Sequence, residues 1–136
     1  MPEADRTEEK AGPGLLDLLL GGDVPNVAKD LPTARYEVPR LSRAAGGTVT
    51  FTLRALPYGK VQELQRLDND AELQILLAGL VDPDVKDGRL RDKFGGPTPA
   101  ETLRGMLLPG EIADLSRAVE RLSGYRMATI QAVKNA

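Results

Sequence analysis

The sequence predicts a mostly α-helical protein, a compact helical domain of about five to six helices with a small N-terminal β-hairpin and a mobile N-terminal tail. Composition is the first reason. Hydrophobic residues make up 41% of the 136 residues but aromatic residues only 4%, so the core must consist mainly of Leu, Val, Ile, Met and Ala, which suit helices better than sheets. Periodicity is the second reason, because apolar residues after Pro57 recur at helical spacing, whereas a stretch before Pro57 alternates with a period of two.

Two segments precede the predicted domain. Residues 1–14 combine charges, prolines and glycines without a hydrophobic period, which predicts a disordered tail. Residues 15–33 are predicted to be a short apolar helix and a linker, because five leucines between Leu15 and Leu20 make about two turns and Gly21 and Gly22 suit a left-handed helix end. A helix this short must dock on something to be stable in water. It packs either on its own domain or on a neighbouring subunit of a homo-oligomer.

The domain is predicted to begin with a β-hairpin over residues 34–56. In residues 48–56 apolar and polar residues alternate, which is typical of a half-buried strand. Residues 34–40 alternate in the same way, and Pro39 places this first strand at the edge of the sheet. The small residues 44–47 serve as the hairpin loop.

Residues 57–136, the rest of the single domain predicted over residues 34–136, are expected to be helical. Apolar residues at helical spacing mark the helices, in these sets along the chain: Val61, Leu64 and Leu67; Leu73, Ile75, Leu76, Leu77, Leu80 and Val81; Leu90 and Phe94; Leu103, Met106 and Leu107; Ile112, Leu115, Val119 and Leu122; and Met127, Ile130 and Val133. The second set is apolar around much of its circumference, so that helix is either central to the core or covered by a partner. Thr98 and Glu101 form a capping box, and the last set predicts a short final helix.

The residue types that most enzymes and metal sites use are missing. The chain has no Cys and no His, which excludes disulfides, thiol nucleophiles, the usual metal ligand and the usual neutral-pH base. Five aspartates between Asp68 and Asp87 form an acidic stretch, but their spacing matches no calcium loop. We therefore expect no catalytic residue, no metal, no cofactor and no enzymatic activity.

Charge and hydropathy argue against nucleic acid and membranes as partners. Eighteen basic residues lie among twenty acidic ones, so a concentrated positive face for phosphates is not expected. The acidic start of the chain is unlike a secretory signal, and the apolar cluster from Leu15 to Leu20 is far shorter than the roughly 20 residues of a membrane span. The residues alone thus predict a cytosolic, helical protein–protein interaction module.

Three segments, in the same order along the chain, carry a resemblance to a known family. They are FTLRALPYGKVQELQ, ELQILLAGLVDPDVKDGRLRDKFG and TPAETLRGMLLPGEIADLSRAVERLSGY. The third is the most specific, with a capping box, then Leu-Leu-Pro-Gly-Glu-Ile, an amphipathic helix and Ser-Gly-Tyr. From about residue 41 to residue 123 the chain resembles the XkdN-like tail assembly chaperones of tailed bacteriophages and prophages.

The resemblance implies a function in tail assembly. Such a protein binds the long, helical, aggregation-prone tape measure protein in the cytoplasm of the bacterial host, keeps it soluble while tail tube subunits polymerise around it, and is absent from the mature virion. The family also implies a longer form made by ribosomal frameshifting, which would contact the tail tube protein. The codons GTA AAA AAC would encode Val133-Lys134-Asn135 and contain a slippery heptamer, at which a ribosome can shift frame. The codons GTG AAG AAC encode the same residues without that heptamer. The alternative is a virion structural component, such as a small tail or connector protein.

Contact with this client is predicted on one apolar surface of the helical region. Its members are Leu76, Leu77, Leu80, Met106, Leu108, Ile112 and Leu115. The same pattern is equally expected of residues that form the hydrophobic core.

Overall fold

The computed structural model describes residue 12 and residues 14–134, and the chain divides into two compact units, Met1–Asp30 and Leu31–Ala136. The first unit contains helix α1 (Leu15–Leu20), whose five leucines are each 55–75% exposed. The predicted short apolar helix is therefore present. Its predicted left-handed end is wrong, because Gly21 has φ −66° and its N–H donates to the Leu18 carbonyl, which closes a tight last turn. The predicted disordered tail, residues 1–14, lies almost wholly outside the described residues.

The second unit contains a three-stranded antiparallel sheet in the order β1 (Thr33–Glu37), β2 (Thr50–Arg54) and β3 (Leu80–Asp82). Thr33 pairs with Arg54 and Glu37 with Thr50, so the two strands of the predicted hairpin do pair. The hairpin prediction is incomplete in two respects, since a helix lies in the connection and a third strand completes the sheet.

Helix α2 (Pro39–Ala45) replaces the end of the predicted first strand and part of the predicted loop. Pro39 occupies the first helical turn, where a missing N–H costs nothing, and Gly46 ends the helix with φ 77°, a left-handed conformation that glycine adopts without strain. The Ser42 hydroxyl accepts a hydrogen bond of 2.9 Å from the Val49 N–H. This bond ties the helix to the start of β2 and closes the connection.

Five further helices follow: α3 (Lys60–Gln65), α4 (Ala71–Gly79), α5 (Gly88–Phe94), α6 (Pro99–Met106) and α7 (Pro109–Leu122). With α1, the described residues form seven helices, and six of them lie in the second unit, in agreement with the prediction of about five to six helices for the domain. The predicted capping box is confirmed in part, because the Thr98 hydroxyl accepts a hydrogen bond of 3.3 Å from the Glu101 N–H. The predicted short final helix is wrong, since residues 126–134 are not helical and Ile130 is 90% exposed with no core to pack on.

The core of the second unit lies where α4 and α7 pack on each other and on β2. Leu76, Phe51 and Val119 are buried almost completely at its centre. Of the two alternatives for the second apolar set, a central place in the core is the one that α4 takes, but the helix ends at Gly79 and Leu80 begins β3. A Cβ on Gly79 would lie 2.7 Å from Val119 Cγ1 and 2.8 Å from the Arg54 carbonyl, so only glycine allows this close approach.

Candidate interaction surface

The seven residues predicted to contact a client do not form one exposed surface. Leu76, Met106, Ile112 and Leu115 are buried in the core, as the core alternative expected. Leu77 and Leu80 are half-buried, and Leu108 is 53% exposed. These last three therefore keep side-chain surface that a partner can reach, whereas the first four contribute to the fold.

Leu77 and Leu80 lie together in a groove of about 530 Å³, which we name the α4–β3 groove. Its apolar lining comes from the end of α4, the strand β3, the following loop and the start of α6: Leu77, Leu80, Val81, Pro83, Val85 and Ala100. Val81, in edge strand β3, is 45% exposed. Asp84 and Lys86 place one charge of each sign at the border of this groove.

A second groove, of about 660 Å³, lies between α2, β2, α5 and α6, and we name it the α2–α5 groove. Its apolar lining includes Leu41, Val49, Phe51, Leu90, Phe94 and Met106. The close packing of α5 on α6 shapes one wall, because a Cβ on Gly105 would lie only 2.1 Å from the Phe94 carbonyl oxygen.

Three charged residues border the α2–α5 groove: Arg40, Asp82 and Lys93. The charge of Arg40 is already paired with Glu111. Lys93 is exposed, its ammonium lies 5.7 Å from the centre of the Phe94 ring, and it has no carboxylate partner within the described part of the chain. The groove therefore offers one unpaired cation and one carboxylate beside an apolar floor.

The Leu-Pro-Gly-Glu segment of the sequence forms a clamp between α2 and the junction of α6 with α7. The Arg40 guanidinium donates to both Glu111 carboxylate oxygens at 2.8 and 2.9 Å, and to the Met106 carbonyl at 2.8 Å. The Leu108 N–H donates to Glu111 at 2.8 Å. The hydrogen bond from Arg40 lowers the pKa of the Glu111 carboxyl and outweighs the opposite effect of burial. Periodicity predicted the helix around Glu111, but no local signal identified Arg40, 71 residues away, as its partner.

The Ser-Gly-Tyr segment closes the other end of α7. The Ser123 hydroxyl accepts from the Leu56 N–H at 2.8 Å and donates to the Val119 carbonyl at 2.8 Å. Glu120, only 3% exposed, accepts from Gln65 at 2.8 Å and from the Arg126 guanidinium. The buried carboxylate thus has hydrogen-bond partners, as a buried charge requires. The Leu-Pro-Gly-Glu segment and the Ser-Gly-Tyr segment thus each hold one end of α7 to the rest of the fold.

Both grooves are open and largely apolar, and charged residues lie at their borders. Within residues 14–134 no group of three or more acidic side chains is placed to hold a metal ion, and no helix in that range is long and apolar enough to cross a membrane. Open apolar grooves bordered by charges suit the apolar face of a partner helix, which lays residues at spacings of three and four into such a groove. The described part of the chain is therefore a small, mostly helical protein with two open apolar grooves.

Residues 65–136, just over half of the chain, match the family described as phage XkdN-like tail assembly chaperone protein. The chain belongs to this family, which confirms the resemblance in the sequence. The fold is also similar to the crystal structure of the protein YqbN, with a TM-score of 0.52 and 24% identity, over 68% of this chain and 87% of that one. At this identity the similarity shows the fold alone. No curated protein matches the sequence.

Proposed function

We propose that this protein binds the tape measure protein of its phage in the host cytoplasm, keeps it soluble while the tail tube forms around it, and is absent from the finished particle. Membership of the tail assembly chaperone family supports this function. The observation that carries the proposal is the α4–β3 groove, because all of its lining residues lie within the part of the chain that matches the family.

The α4–β3 groove has the properties that an amphipathic client helix requires. It is open along one side, and its volume of about 530 Å³ leaves room for apolar side chains of a helix that lies across it. Leu77, Leu80 and Val81 supply the apolar contact, and Asp84 and Lys86 can pair with client charges of either sign. Binding at one groove is expected to be weak, but many copies of the chaperone along one long client add up through multivalency.

Co-expression with the tape measure protein tests the proposal. We expect the client to become soluble and to co-purify with this chain. Val81→Asp puts a charge on an exposed position in the groove and is expected to weaken capture by about tenfold, because apolar contact is replaced by a desolvated carboxylate. Ile130→Asp is the matched control, since Ile130 is 90% exposed and lines no groove described above. Circular dichroism verifies that both variants remain folded.

Two outcomes contradict different parts of the proposal. If the client stays insoluble with the unmodified chain and the chain is found in purified particles, the protein is a structural component and the chaperone function is wrong. If Val81→Asp captures the client as well as Ile130→Asp does, the function stands but the client binds elsewhere.

A further inference from the structure

We propose that α1 of one copy binds in the α2–α5 groove of a second copy, and that two chains exchange their α1 helices reciprocally to form a dimer. This proposal goes beyond client binding, because it concerns parts of the chain outside the family-matched residues 65–136. Helix α1 lies before that segment, and so do residues 40–51, which form a large part of the lining of the α2–α5 groove. A surface outside the family-matched segment is expected to bind a partner that other family members do not share, and a second copy of this chain is such a partner.

The geometry of α1 favours a groove over a flat surface. At about 100° per residue, the five leucines cover an arc of roughly 200° centred on Leu19, and Asp17 lies on the opposite side. All five leucines are more than half exposed. A helix of six residues is not stable alone in water, and an apolar arc of roughly 200° is covered more completely in a groove than on a flat surface. The α2–α5 groove provides walls from three helices, α2, α5 and α6, and a floor from β2.

Charge also fits this pairing. The segment from Leu15 to Ala28 contains Asp17 and Asp23 but no basic residue. The border of the groove carries the Lys93 ammonium, which has no carboxylate partner among the described residues, and the Asp82 carboxylate, so charge favours the orientation of α1 that places Asp17 nearer to Lys93 than to Asp82. A helix seated by its leucines keeps Asp17 on its open side, near the level of the border. The ion pair contributes orientation more than affinity.

The buried area favours reciprocal exchange. The exposed leucine surface of one α1 is on the order of 400 Å², and a groove covers a similar area in return. One helix in one groove thus buries about 800 Å² in total, which is below the size of stable interfaces, whereas two exchanged helices bury about 1,600 Å², the standard size. The linker of residues 21–32 spans up to about 40 Å when extended, which is enough to reach a neighbouring copy.

The mass of the full chain in solution is the first test, measured by size-exclusion chromatography with light scattering over a wide range of concentrations. We expect a species of twice the chain mass of 14.6 kDa. Leu19→Asp, at the centre of the apolar arc, is expected to weaken dimerisation by about tenfold or more, and Ile130→Asp to leave it unchanged. A monomer at every concentration overturns the proposal. A dimer that forms as tightly in Leu19→Asp as in the unmodified chain also overturns it, because another surface must then form the interface.

A cross-link identifies the groove. Because the chain has no Cys, a mixture of one chain carrying Leu19→Cys with a tagged chain carrying Ala45→Cys can form a mixed disulfide only between copies. Ala45 is an exposed residue that lines the groove, so the substitution leaves the core intact. We expect this mixture to link far faster than Leu19→Cys mixed with Ile130→Cys. Equal or absent linking overturns the assignment of α1 to this groove.

Discussion

Replacing one glycine by alanine should have opposite effects on stability at two helical positions of this protein. Gly79 ends α4 where that helix meets α7, and an added Cβ would lie 2.7 and 2.8 Å from the two Val119 methyl groups and 2.8 Å from the Arg54 carbonyl oxygen. Gly110 lies in the first turn of α7, and apart from its chain neighbours and the backbone of its own helix no atom lies within 4 Å of the added Cβ. The chemical change is the same at both sites, so the surroundings alone decide the outcome.

The magnitudes follow from two opposing contributions. Alanine restricts the unfolded chain and favours the helix, which stabilises by about 0.5–1 kcal/mol at either site. At Gly79 the overlap with Val119 and with backbone adds an overpacking cost of about 1–3 kcal/mol. We therefore expect Gly79→Ala to lose about 0.5–2 kcal/mol and Gly110→Ala to gain up to about 1 kcal/mol. For a domain of about 100 residues, 1 kcal/mol shifts Tm by about 4–8 °C.

Urea denaturation monitored by circular dichroism measures both changes, provided that the m-value stays constant between variants. Gly79→Ala should lower the midpoint and Gly110→Ala should raise it. A midpoint for Gly79→Ala at or above that of the unmodified protein would refute the close approach of α4 to α7. A loss at both sites would instead indicate that the surroundings of Gly110 are not open.

Three further predictions concern α7 and the core. Leu108→Ser supplies a side-chain oxygen at the extended N-cap of α7, so the urea midpoint should rise by the equivalent of about 0.5–1 kcal/mol; an unchanged midpoint would argue against this N-cap. Arg40 makes the pKa of Glu111 lower in the folded state than in the unfolded state. The ionised carboxylate therefore stabilises the fold at any pH above the unfolded-state pKa of about 4.3, and this stabilisation is lost as the pH falls through the lower folded-state pKa. Glu111→Gln should therefore be less stable at neutral pH and lose less stability on acidification, which midpoints measured across pH will show. Leu76→Ala should cost about 2–5 kcal/mol in urea denaturation, because the side chain is fully buried; a cost below 1 kcal/mol would contradict its place in the core.

The helices that sequence reasoning located are those whose signals are local. In α7 the apolar positions Ile112, Leu115 and Val119 repeat along one face, and for α6 Thr98 marks the start by its own hydroxyl. Periodicity and capping depend only on neighbouring residues, so they can be read before the tertiary structure is known.

The elements that the sequence did not predict depend on distant partners. Helix α2 has only one large apolar residue, Leu41, and Arg40 holds it to Glu111 across 71 residues. Leu80 and Val81 continue the apolar pattern of α4, but pairing with β2 makes them a strand. At the end of the chain the spacing of Ile130 and Val133 suits a helix, yet both side chains are about nine-tenths exposed and gain nothing from forming one.

The exposure of the seven predicted contact residues also depends on distant parts of the chain, so the sequence predicted it only in part. A helical period shows which face of a helix is apolar, but not whether the same chain covers that face. Leu77 and Leu80 retain accessible surface, whereas Ile112 and Leu115 are covered. The α2–α5 groove could not be predicted because its lining comes from five elements, α2, β2, β3, α5 and α6, that only the tertiary structure brings together.

The clamps at the two ends of α7 join residues that are far apart in the order of synthesis. Arg40 pairs with Glu111 and Leu56 with Ser123, so these contacts, separated by 71 and 67 residues, can form only after α7 and Ser123 have been translated. Until then the nascent chain also lacks the helix that packs against β2. Translation proceeds at roughly 5–20 residues per second, so several seconds separate the synthesis of the two partners in each clamp. A client made at the same time therefore meets a chain with a complete core only after this delay.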